Sequence, residues 1–193
     1  VFESKLTQEF RLHFDEKIAE MFQSIGIREG SVWIEVFHDG ENYYFNEVGF
    51  RYGGSVSIYP VDYFYQINQV AADIHYALTG ESCISEHTSL IRSTLPRKKY
   101  YCIYPVHINA GTISSISGLD KIAQLENIVY LATTKYLHDR IESSGSFSQV
   151  FALVHFVCNT TEECIQTIDR IHQMLVVFDE HGNNMVNRML DVG

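Results

Sequence analysis

IEVFHDGENYYFNEVGFRYGG, residues 34–54, reads as two strands with an alternating pattern, joined at the turn signal Asp39-Gly40. It carries two carboxylates, Glu35 and Glu47, in apolar and aromatic company. Burying a carboxylate costs several kcal/mol (on the order of 2–7 kcal/mol even for a neutral polar group) unless a cation or hydrogen bonds compensate it. The reading of this stretch turns on what that partner is. Side chains alternate along a strand, so Glu47, Gly49 and Arg51 project from one face. A three-residue loop of Asp39, Gly40 and Glu41 would place Glu47 across from Trp33 and diagonal to Glu35, roughly 7–8 Å apart at the backbone. An even loop would put the two glutamates on opposite faces.

Arg51 is the only Lys or Arg between Arg28 and Arg92. One arginine beside a carboxylate pair, followed by Gly53 and Gly54, suits an anionic phosphate ligand. Arginine grips phosphate bidentately, hard oxygens hold Mg²⁺, and glycines let backbone approach closely. The plainer alternative stays open: two solvent-facing glutamates, with Arg51 paired to Glu47 and Gly53-Gly54 forming a turn.

Outward from the hairpin, FDEKIAEMFQSIGI places Phe14, Ile18, Met21, Phe22 and Ile25 on one helical face, with Gly26 as its stop. A second helix is expected from about Tyr63 to Thr79, capped by Asp62 and stopped by Gly80. Its inward stripe would be Phe64, Ile67, Val70, Ala71, Ile74 and Leu78. Around RSTLPRKKYY the character changes, and a subdomain boundary is placed near Pro96, giving units 1–95 and 96–193. The remainder is β-rich: YYCIYPVHI, GTISSIS, NIVYLATT and QVFALVHFVC. One further helix, TTEECIQTIDRIHQML, opens with Thr160 and Glu163 at capping-box spacing. The fold class is α+β.

With 193 residues, 46% of them hydrophobic, the chain can build a real core. A formal net charge of -10 argues against non-specific binding to nucleic acid or anionic membrane. No apolar run approaches the roughly 18 residues of a membrane span, and no signal-peptide pattern is present. Cys83, Cys102, Cys158 and Cys164 form no CxxC pair and read as free thiols in a reducing, cytoplasmic setting. His75, His87, His107 and His155 lack zinc-ligand spacing, no GxSxG elbow occurs, and the aromatic YFYQ run reads as packing. The chain opens VFESKL without an initiator Met, which reads as a fragment or trimmed start.

VWIEV followed after a short turn by YYFNEVGFR resembles the metal-binding hairpin of the ATP-grasp superfamily. The relatives are L-amino-acid ligases of the carboxylate–amine type, biotin carboxylases and the large subunit of carbamoyl phosphate synthase. The preceding SIGIREGSV resembles the family's lead-in turn. YPVHINAGTISSISGLDKIAQLENIV and SFSQVFALVHFVCNTTEECIQTIDRI resemble its C-terminal domain. The resemblance implies the C-terminal lobe of an ATP-grasp fold, an antiparallel sheet with flanking helices, plus a β-rich C-terminal subdomain. It implies Mg²⁺ (or Mn²⁺) held by Glu35 and bridged by Glu47, ATP as co-substrate, and Arg51 facing the γ-phosphate or acyl phosphate. Gly53 and Gly54 are the expected nucleotide-binding glycines, and Gly49 stands where the family usually carries Asn. A carboxylate would be phosphorylated and then attacked by an amine. The family's phosphate-gripping lysines precede the hairpin, so this portion alone is expected to be inactive. The alternatives are biotin-carboxylase-like chemistry and a degenerate, non-catalytic ATP-grasp binding module. Expected partners are small-molecule carboxylate and amine substrates, with a homodimer left open.

Overall fold

A computed structural model describes residues 5–54, 56–84, 99–145 and 147–187. His87, Pro96 and most of the basic stretch before Tyr100 lie outside the described residues. The chain divides into two compact units, Glu3–Pro96 and Arg97–Gly193, the latter grouped with Val1–Phe2. Both combine helices with antiparallel strands, so the fold is α+β.

In the first unit, α1 spans Lys5–Ser24, starting earlier than the Phe14 stripe suggests. Its inward positions are Phe10, Phe14, Ile18 and Phe22, one turn apart, while Met21 and Ile25 are exposed. The expected stripe is therefore corrected at those two residues. Gly26 ends the turn with φ +83. Strand β1 (Trp33–His38) pairs antiparallel with β2 (Tyr43–Gly49). Phe10 and Phe14 lie 5.0 Å apart and meet Tyr43 and Phe45 at 5.5–5.7 Å. Phe22 meets Phe50 edge-on at 5.7 Å. These rings, spaced for edge and tilted contacts, seat the helix on one face of the hairpin.

The single helix expected from Tyr63 is two helices, α2 (Ile58–Tyr65) and α3 (Gln69–Thr79). Gln66 adopts φ 57 and returns its N–H to Asp62, ending α2. Asn68 then caps α3 by accepting from Ala71 N–H at 3.0 Å. Asp62 lies inside α2 and caps nothing. The cap signal was Asn68, and Pro60 fits because first-turn N–H groups lack helical partners. The break rotates the stripe: Tyr65, Ile67 and Ala72 are buried, whereas Val70, Ile74 and Leu78 are exposed. Gly80 stops α3 as expected, with φ 73 and its N–H on Tyr76 O.

The second unit holds two three-stranded antiparallel sheets. One is ordered β3 (Tyr100–His107), β7 (Val150–Cys158), β5 (Ile128–Thr133); the other is β6 (Arg140–Ile141), β4 (Gly111–Ser117), β8 (Val176–Asp179). Helix α4 (Leu119–Ala123) follows β4, and α5 (Thr161–Met174) follows β7. Central strand β7 is almost wholly buried, as its apolar run, broken only by His155, requires of a strand covered on both faces. Ile108, Ile113, Ile122, Phe151, Phe156, Ile171, Leu175 and Met185 form the core. Two buried tyrosine–histidine pairs form in it: Tyr101 OH and His155 Nδ1 lie 3.1 Å apart, and Tyr104 OH and His172 Nε2 lie 2.6 Å apart. Burial pushes the Tyr104 phenol up to about 12. Thr160 caps α5 by accepting from Glu163 N–H at 3.1 Å, while Glu163 reaches back to Asn159 N–H at 2.7 Å rather than to Thr160. Among the described residues, no helix is long and apolar enough to cross a membrane.

Candidate active site on the hairpin

The connection between β1 and β2 is even, because His38 pairs with Tyr43 across Asp39, Gly40, Glu41 and Asn42. The three-residue loop is therefore corrected to four residues. Asp39 builds this turn: its carboxylate accepts from Glu41 N–H at 2.9 Å, Asn42 N–H at 2.8 Å and Tyr44 OH at 2.8 Å. Those donors, the Asn42 and Glu41 amides first, hold its carboxyl well below the usual carboxylate range.

By parity alone, an even loop would set Glu35 opposite Asn46 and turn Glu47 onto the far face. The strands avoid this with a register shift: Val36 pairs with Phe45, yet Glu35 pairs with Glu47 and Trp33 with Gly49. Asn46 is the extra residue of a one-residue bulge. It leaves Tyr43 and Phe45 facing α1 and rotates Glu47 to the opposite side, with Glu35, Trp33 and Gly49. The expected diagonal pairing of the glutamates is thus replaced by direct opposition, where Cβ atoms lie roughly 4.5–5.5 Å apart. Asn46 Nδ2 donates to Glu35 Oε2, which leaves the amide oxygen beside the pair. Glu35 is half-buried and Glu47 exposed.

Arg51 makes no ion pair with Glu47. Its guanidinium lies over the Trp33 ring at 4.9 Å from the centroid and donates from Nη1 to Tyr52 O at 3.1 Å. Gly49 forms the floor of this stack: a Cβ there would touch Arg51 and Trp33 at 3.5 Å. Gly53 is held differently from expectation, since its N–H donates to Ser57 Oγ at 3.1 Å. A Cβ at Gly53 would fall 2.8 Å from that oxygen, so a larger residue there would have to turn the Ser57 hydroxyl aside. Gly54 is open, with nothing near its missing side chain. Asp73 of α3 anchors the segment by accepting from Ser31 Oγ at 2.9 Å and from Tyr52 OH. Burial, and then the Asp73 carboxylate, push the Tyr52 phenol up.

The residues fit a hard divalent cation in chemistry and charge. Two carboxylates stand directly opposite with no ion pair to a basic side chain among the described residues, and like charges so placed repel unless a cation lies between them. Asn46 supplies a third oxygen close by. Sequence reasoning missed Asn46, because a bulge leaves no mark on hydrophobic periodicity.

No protein-family model matches the chain, and no curated protein sequence does. Among solved structures, an L-amino acid ligase from Bacillus licheniformis is similar with a TM-score of 0.71 at 22% identity, covering 92% of this chain and 43% of that one. A phosphoribosylglycinamide synthetase from Anaerococcus prevotii is similar with a TM-score of 0.71 at 14% identity, covering 93% of this chain and 44% of that one. The chain therefore spans less than half the length of either enzyme. In fold, the chain resembles part of each of these two structures.

Proposed function

We propose that this chain is part of an ATP-dependent ligase that activates a carboxylate as an acyl phosphate for attack by an amine. One observation carries the reading: on a fold like that of an L-amino acid ligase, a bulge turns Glu35 and Glu47 into direct opposition, with no ion pair to a basic side chain among the described residues. Mg²⁺, when bound, would neutralise phosphate charge and polarise phosphoryl oxygens. Glu35 and Glu47 would hold it through carboxylate oxygens, and Asn46 keeps Glu35 oriented by its hydrogen bond. Arg51 would meet the phosphate bidentately. Stacking on Trp33 fixes the guanidinium plane in advance, so little side-chain entropy is lost when the anion arrives. The work of these residues is positioning and charge stabilisation, which is most of what phosphoryl transfer asks of a protein.

Calorimetric titration of Mg²⁺ into this chain tests the site directly. Wild type should bind and Glu47→Gln should not, and equal affinity would sink the assignment. In the complete protein containing this chain, Glu47→Gln should lower Mg²⁺-dependent ADP release, with a carboxylate and an amine present, by about 100-fold or more. A non-catalytic binding module is the second reading, favoured by the Gly53 N–H being committed to Ser57. It requires no carboxylate-dependent metal affinity, so the same titration separates the two.

A further inference from the structure

Away from the hairpin, the second unit brings three thiols together. Cys102 lies on β3 and Cys158 on β7; the register pairs Tyr100 with Cys158 and Cys102 with Phe156, so the cysteines are diagonal neighbours on one sheet face. Cys164 comes from the first turn of α5. Cys102 Sγ lies 3.8 Å from Cys158 Sγ and 3.1 Å from Cys164 Sγ, and all three sulfurs fall within 4.8 Å of one another. Among the described residues, this is the only such group of three or more metal-ligating side chains.

We propose that Cys102, Cys158 and Cys164 form a binding site for a soft, thiophilic d10 cation, either zinc or cuprous ion. Buried cysteines usually pack singly as small hydrophobes, and a redox pair needs only two. Three sulfurs converging from two strands and a helix is what thiolate coordination demands. A zinc centre with bonds of ~2.3 Å spaces its sulfurs ~3.8 Å apart, near the separations here. Soft thiolates select such ions over Mg²⁺, which keeps this site chemically distinct from the hairpin. Access exists as well: Cys158 lines a surface cleft with Lys99, Asn159, Glu163, Thr167 and Arg170. Loading is an exchange without redox change: three S–H bonds break, three metal–sulfur bonds form, and three protons leave to solvent.

The test uses the whole chain, reduced and freed of metal, with Cd²⁺ as spectroscopic probe, then Zn²⁺ and Cu(I) in competition with chromophoric chelators. Thiolate-to-cadmium charge-transfer absorption should rise to one equivalent and stop. Cys102→Ser and Cys164→Ser should each weaken binding roughly 100-fold or more. The Cys164 variant is the more conservative, because that side chain is only partly buried. Cys83→Ser is the control: Cys83 is exposed and belongs to the other unit, so its loss should change nothing. Relative zinc and copper affinities identify which ion the site prefers. No charge-transfer band, a band lost only in the Cys83 variant, or a Cys102–Cys164 disulfide in place of three free thiols would each overturn the proposal. Folding of each variant is checked by its far-ultraviolet circular dichroism. If both core variants unfold, Cd²⁺ protection of the wild-type thiols from alkylation decides: three protected thiols support the site, and none overturns it.

Discussion

If Asn46 paired with Glu35 in an unbulged ladder, Glu47 would continue the Tyr43 and Phe45 face and project toward Phe10 and Phe14 of α1. The bulge is therefore a sorting device, keeping the aromatic ring cluster on one side and both carboxylates on the other. Deleting Asn46 removes the bulge but leaves Glu47 directly after Phe45 and still opposite Glu35, so the faces stay sorted and the loss should be about 1 kcal/mol, that of the bond to Glu35. Asn46→Ala keeps the bulge and loses only the bond to Glu35, so it should cost about 1 kcal/mol. Urea denaturation of the two variants checks this: their losses should be equal, and a deletion worse by about 2 kcal/mol or more would mean that Glu47 had left the face of Glu35. The candidate residues Glu35, Glu47 and Arg51 were legible in the sequence, but whether Glu35 shares a face with Glu47 hung on the loop. The register was not legible, because Asp39-Gly40 announces a turn without announcing its length. A one-residue insertion then reverses the parity that the turn sets.

At the scale of elements, the strong periodic segments were readable and their ends were not. β3, β4, β5 and β7 follow their apolar runs, and Thr160 caps α5 where its spacing with Glu163 indicated. The break between α2 and α3 was hidden because YFYQINQV keeps enough apolar residues to continue a helical stripe. β6 and β8 are two and four residues long, too short for any period to emerge. Their pairing with β4 is decided by tertiary contact. The junction between β4 and α4 shows how tightly such contact specifies one residue. Gly118 adopts φ +93, and a Cβ there would lie 1.9 Å from the carbonyl oxygen of Met174 at the end of α5. Backbone, not a flexible side chain, occupies that space. Gly118→Ala must therefore displace α5 or the β4–α4 turn, besides straining a left-handed backbone. The expected loss is about 3 kcal/mol or more, seen as a lower urea midpoint. Gly145→Ala is the comparison, since φ +61 strains it but nothing stands within 4 Å. It should lose about 1 kcal/mol. A Gly118 variant no worse than the Gly145 variant would show that the close approach does not matter.

Across the whole molecule, burial is distributed very unevenly between the two units. In the unit of α1 to α3, the buried side chains among the described residues are Pro60, Tyr65, Ile67 and Ala72. Leu12, Ile25, Phe37, Phe50 and Leu78 are exposed there. In the other unit, Tyr101, Val106, Ile113, Phe151, Phe156 and Ile171 are fully buried, and β7 is hydrogen-bonded on both edges. Local opening costs most where apolar contacts and paired backbone are densest, so stability should follow the same gradient. Helix α1 rests on ring contacts along one stripe, and its opposite face meets solvent. Its amides need break only those contacts to exchange, whereas β7 amides require the sheet and the helix packed on it to open together. Hydrogen exchange read by mass spectrometry at neutral pH should therefore show β7 peptides protected about 1000-fold more than α1 peptides, a gap of about 4 kcal/mol in opening free energy. Mg²⁺ at saturating concentration should slow exchange in β1 and β2 by drawing Glu35 and Glu47 together, and leave β7 unchanged. Equal protection in α1 and β7 would refute the uneven core. Exchange slowed in β7 but not in the hairpin would place the bound Mg²⁺ somewhere other than the carboxylate pair.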